Sequence, residues 1–177
     1  MAGKAGLLLG LISTACMFLE QWISVSLTSP AMLSITGTLL WVLETGGCIY
    51  FMALFMRRFT IECPGVTRGA AFRMGMVTAL LSGFVYSVAF YVNITVINAG
   101  LYAEQFKLLT DTMMTQMAPL MDQQTKTAME KAMSYMPQMM FLSNLLYCFG
   151  FGTLASLFVS RRIPIEETLS DNTQDQQ

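Results

Sequence analysis

The chain has 177 residues, of which 54% are hydrophobic and only 12% charged, and its formal net charge is −1. A soluble domain carries about 25% charge, so this composition excludes an ordinary water-soluble domain, and the near-neutral balance gives no basis for nucleic acid as a partner. Histidine is absent, which removes the commonest general base and the commonest metal ligand.

Four apolar stretches are long enough to cross a bilayer as helices, about 20 residues being needed at 1.5 Å rise per residue. They are expected at residues 5–27, 33–56, 70–97 and 139–160. The first could be mistaken for a secretory leader. Its apolar run exceeds the 7–15 residues of a signal core, and Ser26-Leu27-Thr28-Ser29-Pro30 is not an Ala-x-Ala cleavage site, so a retained anchor is expected.

Glu20 in the first span and Glu44 near the middle of the second are the most unusual residues. With a tight turn between antiparallel helices, the two carboxyls should lie within about 6 Å in depth. A charged side chain at the bilayer centre costs about 2.5–3.5 kcal/mol on insertion scales and turns to the protein interior. Each glutamate then serves either as a hydrogen-bonding strut to a neighbouring helix or as a proton site or polar substrate contact.

Pro64-Gly65 marks a turn in the Phe59–Thr67 loop, and Thr67 is placed to cap the helix that enters the third span. That span carries Gly75, Ala79, Gly83 and Ser87 at four-residue spacing. The fourth carries Gly152, Ser156 and Ser160, and the first Gly6, Gly10 and Thr14. Such ladders of small residues let helix backbones approach closely, within one chain or between chains. Asn93-Ile94-Thr95 has the form of a glycosylation site but falls within the third span, which discounts it.

Between the third and fourth spans, Tyr102, Phe106, Leu109, Met113 and Met117 fall on one helical face. Pro119 interrupts it, and Met121, Met129, Ala132, Met133 and Met136 form a second run ending at Pro137. Two short amphipathic helices are expected over about 101–136. Nine of the sixteen methionines fall in 113–140. Thioethers can bind a soft metal such as copper(I), but no histidine or cysteine stands nearby to assist. Interface packing is the expected role of Met113, Met117, Met121, Met129 and Met133, with no metal and no other cofactor.

The basic residues set an orientation. Lys4, Arg57, Arg58, Arg68, Arg73, Arg161 and Arg162 fall on one side. Lys107, Lys126 and Lys131 fall on the other, offset by Glu104, Asp111, Asp122 and Glu130. The arginine-rich side is expected in the cytoplasm with both termini, and the helical insert outside, in the periplasm of a bacterium. Arg57, Arg58, Arg68, Arg73, Arg161 and Arg162 form a rim suited to lipid headgroups or to a cytoplasmic partner. Residues 163–177 are polar and acidic, with too little apolar surface to fold, and are expected to be a disordered tail.

The four cysteines, Cys16, Cys48, Cys63 and Cys148, show no metal spacing or disulfide framework and read as packing thiols. No nucleophile elbow, phosphate-binding glycine loop or paired aspartates appear, so a non-enzyme is expected.

Several segments together carry a resemblance. Gly6-x-x-x-Gly10 opens the first span, Ile49-Tyr50-Phe51 and Arg57-Arg58 close the second, and Gly69-Ala70-Ala71-Phe72-Arg73-Met74-Gly75 opens the third. Ile97-Asn98 closes the third, and Gly150-x-Gly152 with Leu154-Ala155-Ser156-Leu157 lies in the fourth. Over about residues 1–164 this layout resembles an uncharacterised family of small four-span membrane proteins from Bacteroidetes, domain of unknown function 4199. The resemblance implies the four-span fold and brings no site residues. Its members are often encoded beside membrane glycosyltransferases of the polyprenyl-phosphate type, which implies such an enzyme as partner.

The expectation is thus an all-α, integral membrane four-helix bundle forming a single domain, residues 1–162, in a bacterial inner membrane. Its expected role is a non-enzymatic subunit that binds another membrane protein or itself, in contact with membrane lipids. The alternative is a small transporter or lipid translocator built around Glu44, against which the lack of glycine- or proline-broken spans counts.

Overall fold

The computed structural model describes residues 2–26, 29–117 and 123–162. Every element among them is helical. α1 is Ala2–Ser26, α2 is Pro30–Glu62, and α3 is Arg68–Val92, continued by a π-helical turn at Asn93–Ile97. α4 is Ala99–Met117, α5 is Gln123–Ser134 and α6 is Met136–Arg162. α1, α2, α3 with its π turn, and α6 are each long and apolar enough to cross a bilayer. The chain is therefore a multi-pass membrane protein of all-α, four-helix architecture. Residues 163–177, expected to form a disordered tail, lie outside the described residues.

Helix ends differ from the sequence expectation where local chemistry is permissive. α2 begins at Pro30 rather than near Leu33 and runs through Arg57 and Arg58 to Glu62. Proline is tolerated in a first turn because its missing N–H would have no intrahelical partner there. Nothing then breaks the helix before Pro64-Gly65, so the loop shrinks to Cys63–Thr67. Gly65 takes φ +87°, a conformation that favours glycine. Thr67 caps α3, its hydroxyl accepting from the Ala70 N–H at 3.3 Å. Pro137 likewise sits in the first turn of α6.

α3 is the axis of the bundle, packed along α1 on one side and α6 on the other. Close approaches fix the directions. Gly6 of α1 faces Thr78 and Leu81 of α3, and Gly10 faces Ser82 and Val85, so α1 and α3 run parallel. Gly75 faces Ser156, Ala79 faces Gly152 and Gly83 faces Cys148, so α3 and α6 run antiparallel. Gly75, Ala79, Gly83 and Ser87 are all buried, as are Gly152, Ser156 and Ser160 of α6. The two ladders thus meet each other within one chain. Ser156 Oγ donates to the Phe72 carbonyl at 3.0 Å, a bond between neighbouring helices. A Cβ built on Gly6 would lie 2.6 Å from Leu81 Cβ and 2.9 Å from the Thr78 carbonyl oxygen. Only hydrogen fits there.

α2 lies across α1, α3 and α6, and its buried side chains among the described residues are near one end. Met52 and Met56 sink into a small core with Ala71, Met74 and Ala79. Toward its N-terminal half α2 exposes Ile35, Leu39, Trp41, Val42 and Leu43. Lys4, the five arginines Arg57, Arg58, Arg68, Arg161 and Arg162, and Arg73 one turn further in all follow from this topology to the same end of the bundle, and all are exposed.

Gly152→Val should lower the melting temperature in detergent by about 2–10 °C, because overpacking costs about 1–3 kcal/mol. A Cβ on Gly46 or Gly47 would meet nothing within 4 Å. Gly46→Ala and Gly47→Ala should therefore leave the melting temperature unchanged or raise it, since glycine in a helix costs up to about 1 kcal/mol relative to alanine.

Candidate functional site

A cavity of about 210 Å³ lies between α2 and the helices α1, α3 and α6. Each helix sends one stripe of side chains into it, at helical spacing. α2 contributes Trp41, Glu44, Thr45, Cys48, Ile49 and Met52. α6 contributes Asn144, Tyr147, Cys148, Phe151, Gly152 and Ala155. α3 adds Thr78, Ala79, Ser82 and Tyr86, and α1 adds Leu9 and Ser13.

Glu44 is the one ionisable carboxyl in this lining, and no lysine or arginine shares it. Its side chain is half-buried and shares the lining with Ser13 of α1. Ser13 Oγ also lies 3.5 Å from Cys48 Sγ, one turn along α2 from Glu44. Tyr147 and Phe151 stack, with ring centroids 6.3 Å apart and 16° between planes. Trp41 is 54% and Tyr147 60% exposed. At mid-span these rings face hydrocarbon, so the cavity opens sideways to the bilayer.

Glu20 is outside the cavity. Its Oε1 is 3.6 Å from where a Cβ on Gly37 would stand. Gly37 is seven residues from Glu44, or about 10 Å along the helix. Glu20 thus meets α2 at Gly37, one to two turns before Glu44. Glu20 instead lies close to Tyr102 at the base of α4. Burial, and then the charge of Glu20, push the Tyr102 phenol above its usual range.

A second polar cluster joins the foot of α4 to α1. Asn93, 1% exposed, donates through Nδ2 to Gln21 Oε1 at 3.2 Å. Its own Oδ1 accepts from Asn98 Nδ2 at 2.7 Å. The Asn98 N–H reaches the Asn93 carbonyl at 2.8 Å, the i to i+5 bond of the π turn. In the sequence Asn93 stands out only as part of a glycosylation triplet, which hides this cluster. The usable signal was three amides, Gln21, Asn93 and Asn98, at the ends of apolar spans. Tyr86, Ser82 and Asn144 were also missed. Their signal was polar side chains in apolar helices at the same spacing as the small residues.

The remaining expected site residues are scattered. Arg57 and Arg58 border a shallow groove on α2 with Tyr50, Ala53, Leu54 and Ile61. Met133 lines an open groove with Met136, Met139 and Met140 where α5 meets α6, and Thr110 Oγ1 of α4 contacts its sulfur. Met113 is exposed on α4. Met121 and the side chains of Met117 and Met129 lie outside the described residues. Among the described residues, no three His, Cys, Asp or Glu side chains gather closely enough to hold a metal ion.

Asn93→Ala should destabilise the protein by about 1–3 kcal/mol, because it leaves the Gln21 and Asn98 amides unpaired. The check is thermal unfolding in detergent beside Asn98→Ala, which removes one bond of the cluster and should cost less.

No curated protein and no solved structure matches the chain. One family does, over residues 4–161, and it is described as "Protein of unknown function (DUF4199)". With that match spanning all four apolar helices, the chain belongs to the DUF4199 family.

Proposed function

We propose that this protein is a non-enzymatic inner-membrane subunit that binds another membrane protein through its helical excursion, α4 and α5. One observation carries this reading. Among the described residues, the excursion leaves several large apolar side chains exposed. Leu101, Leu108, Leu109 and Met113 of α4 are exposed, Leu108 by 70%. Among the described residues, α4 packs chiefly on the π turn it grows from, with Thr110 on Met133 of α5. The Met136–Met140 groove beside it adds soft, adaptable surface. The other occupant of such a surface is a second copy of the chain. The first partner to test is a membrane glycosyltransferase that handles a polyprenyl-phosphate-linked sugar, which the family resemblance suggests.

The arginine end faces the cytoplasm in this reading, with the excursion in the periplasm. The seven-to-three split of basic residues supports it. The exposed Arg57–Arg58 groove then lies at the depth of inner-leaflet headgroups.

A second reading has its own support. The lateral cavity with Glu44 suits a small transporter or lipid translocator, and the third span ends in a π turn at Asn93–Ile97.

Affinity purification from native membranes at native expression should recover one reproducible membrane partner, or a homo-oligomer. Leu108→Asp with Leu109→Asp should release it without changing the melting temperature. A strictly solitary protein would overturn the reading. For orientation, Cys63 is the exposed thiol in the α2–α3 loop. It should resist a membrane-impermeant maleimide in intact cells and react in inverted vesicles, while a cysteine placed at Thr112 does the reverse. Under the second reading, Glu44→Gln abolishes a flux in liposomes and leaves folding intact. A change in thermal stability alone would assign Glu44 a structural role.

A further inference from the structure

We propose that the cavity beside Glu44 holds the head of a lipophilic ammonium cation, protonated or quaternary, that enters sideways from the bilayer between α2 and α6. The proposal rests on the transport reading for the use made of the ligand, and names its chemical class.

Charge selects the class. Glu44 is half-buried at mid-span, and no lysine or arginine lines the cavity to neutralise it. A carboxylate there is stabilised by a cation brought from outside. The walls favour an organic cation. Trp41, Tyr86, Tyr147 and Phe151 border the same space as Glu44. Aromatic faces attract ammonium groups through the ring quadrupole, most strongly where water is excluded. A bare metal ion is disfavoured, since among the described residues no three metal-type side chains gather, and one carboxylate with a serine does not replace a hydration shell.

Geometry selects the route and the size. The exposed rings of Trp41 and Tyr147 stand at the opening. Met52, Gly152 and Ala155 close the cavity toward the arginine end, where α2 is pinned into the core. The volume of about 210 Å³ is below the roughly 300–1,000 Å³ of a pocket that swallows a drug-sized ligand. It accepts a headgroup and a few carbons, and leaves an alkyl tail in the lipid.

The chain has two tryptophans, Trp22 and Trp41, so Trp22→Phe leaves a single emitter at the cavity mouth. This variant, in phosphatidylcholine nanodiscs, is titrated with octyltrimethylammonium and, as matched controls, octanol and octyl sulfate. Empty nanodiscs correct for partitioning. The expected result is a saturable change in Trp41 emission with the cation alone. Adding Glu44→Gln should weaken the apparent affinity at least about tenfold, equivalent to 1.4 kcal/mol, and Glu44→Asp should restore part of it. Equal responses to octanol and the cation would overturn the proposal, and that comparison needs no substitution at Glu44. So would unchanged affinity in a Glu44→Gln protein that melts like its parent. Crosslinks from Cys48 or Cys148 to a second chain seated in the opening would also overturn it. Saturable binding without flux in liposomes would keep the ligand class and remove the transport reading. Flux of a neutral or anionic lipid without cation binding would do the opposite.

Discussion

The close approach of backbones along α3 is the constraint from which the rest follows. In a bilayer, hydrocarbon outside a helix is as apolar as hydrocarbon inside the bundle, so little hydrophobic force drives helices together. Attraction comes instead from dense van der Waals contact and hydrogen bonds across the seam. α3 supplies both. Its glycine, alanine and serine residues meet Gly152 and Ser156 of α6, while Gly6 and Gly10 of α1 approach the Thr78 and Ser82 carbonyls. Carbonyl oxygens facing a glycine Cα at such range suit the weak C–H···O contacts common between membrane helices. Ser156 adds a bond to the Phe72 carbonyl at 3.0 Å.

α2 has glycines too, but Gly46 and Gly47 have no neighbour within 4 Å of where a Cβ would be. Its hold comes from Met52 and Met56 near the arginine end. Further along, Glu44, Thr45 and Cys48 border a cavity instead of a closed seam. The polar groups gather where it opens. Glu44, Ser13, Tyr86 and Asn144 would each be costly facing lipid. Around the cavity they share a space in which they can meet one another, or a ligand. Ser87, further along the α3 seam, is fully buried with no hydrogen-bond partner for its hydroxyl among the described residues. Its small size suits the ladder, which accounts for its place but leaves its hydroxyl without a role.

The bundle has two chemically distinct ends. At one, exposed arginines from α2, α3 and α6 form a rim. At the other, the π turn leads into α4 and ties it to α1 through Gln21, Asn93 and Asn98. An i to i+5 turn inserts one extra residue per turn and redirects the helix axis. Here it turns the Asn93 amide inward and ends the span where the excursion begins. The excursion is thus anchored at its foot by hydrogen bonds, while among the described residues Leu101, Leu108, Leu109 and Met113 stay exposed.

What was legible in the sequence was decided by composition and period. Apolar runs above about 20 residues mark the spans wherever they fold. The Tyr102-to-Met117 face and the Pro119 interruption announced helices in the insert. The four-residue ladder Gly75, Ala79, Gly83, Ser87 announced a close contact, and Glu44 stood out because carboxyls are rare in such runs. The tertiary structure alone decided which ladders meet, that α1 runs parallel to α3, and that Glu44 opens onto a cavity while Glu20 stands apart beside Gly37 and Tyr102. Those outcomes depend on register and direction between helices distant in sequence. Period along one helix shows which face is small or polar, but the neighbour on that face is chosen by the joint packing of all four.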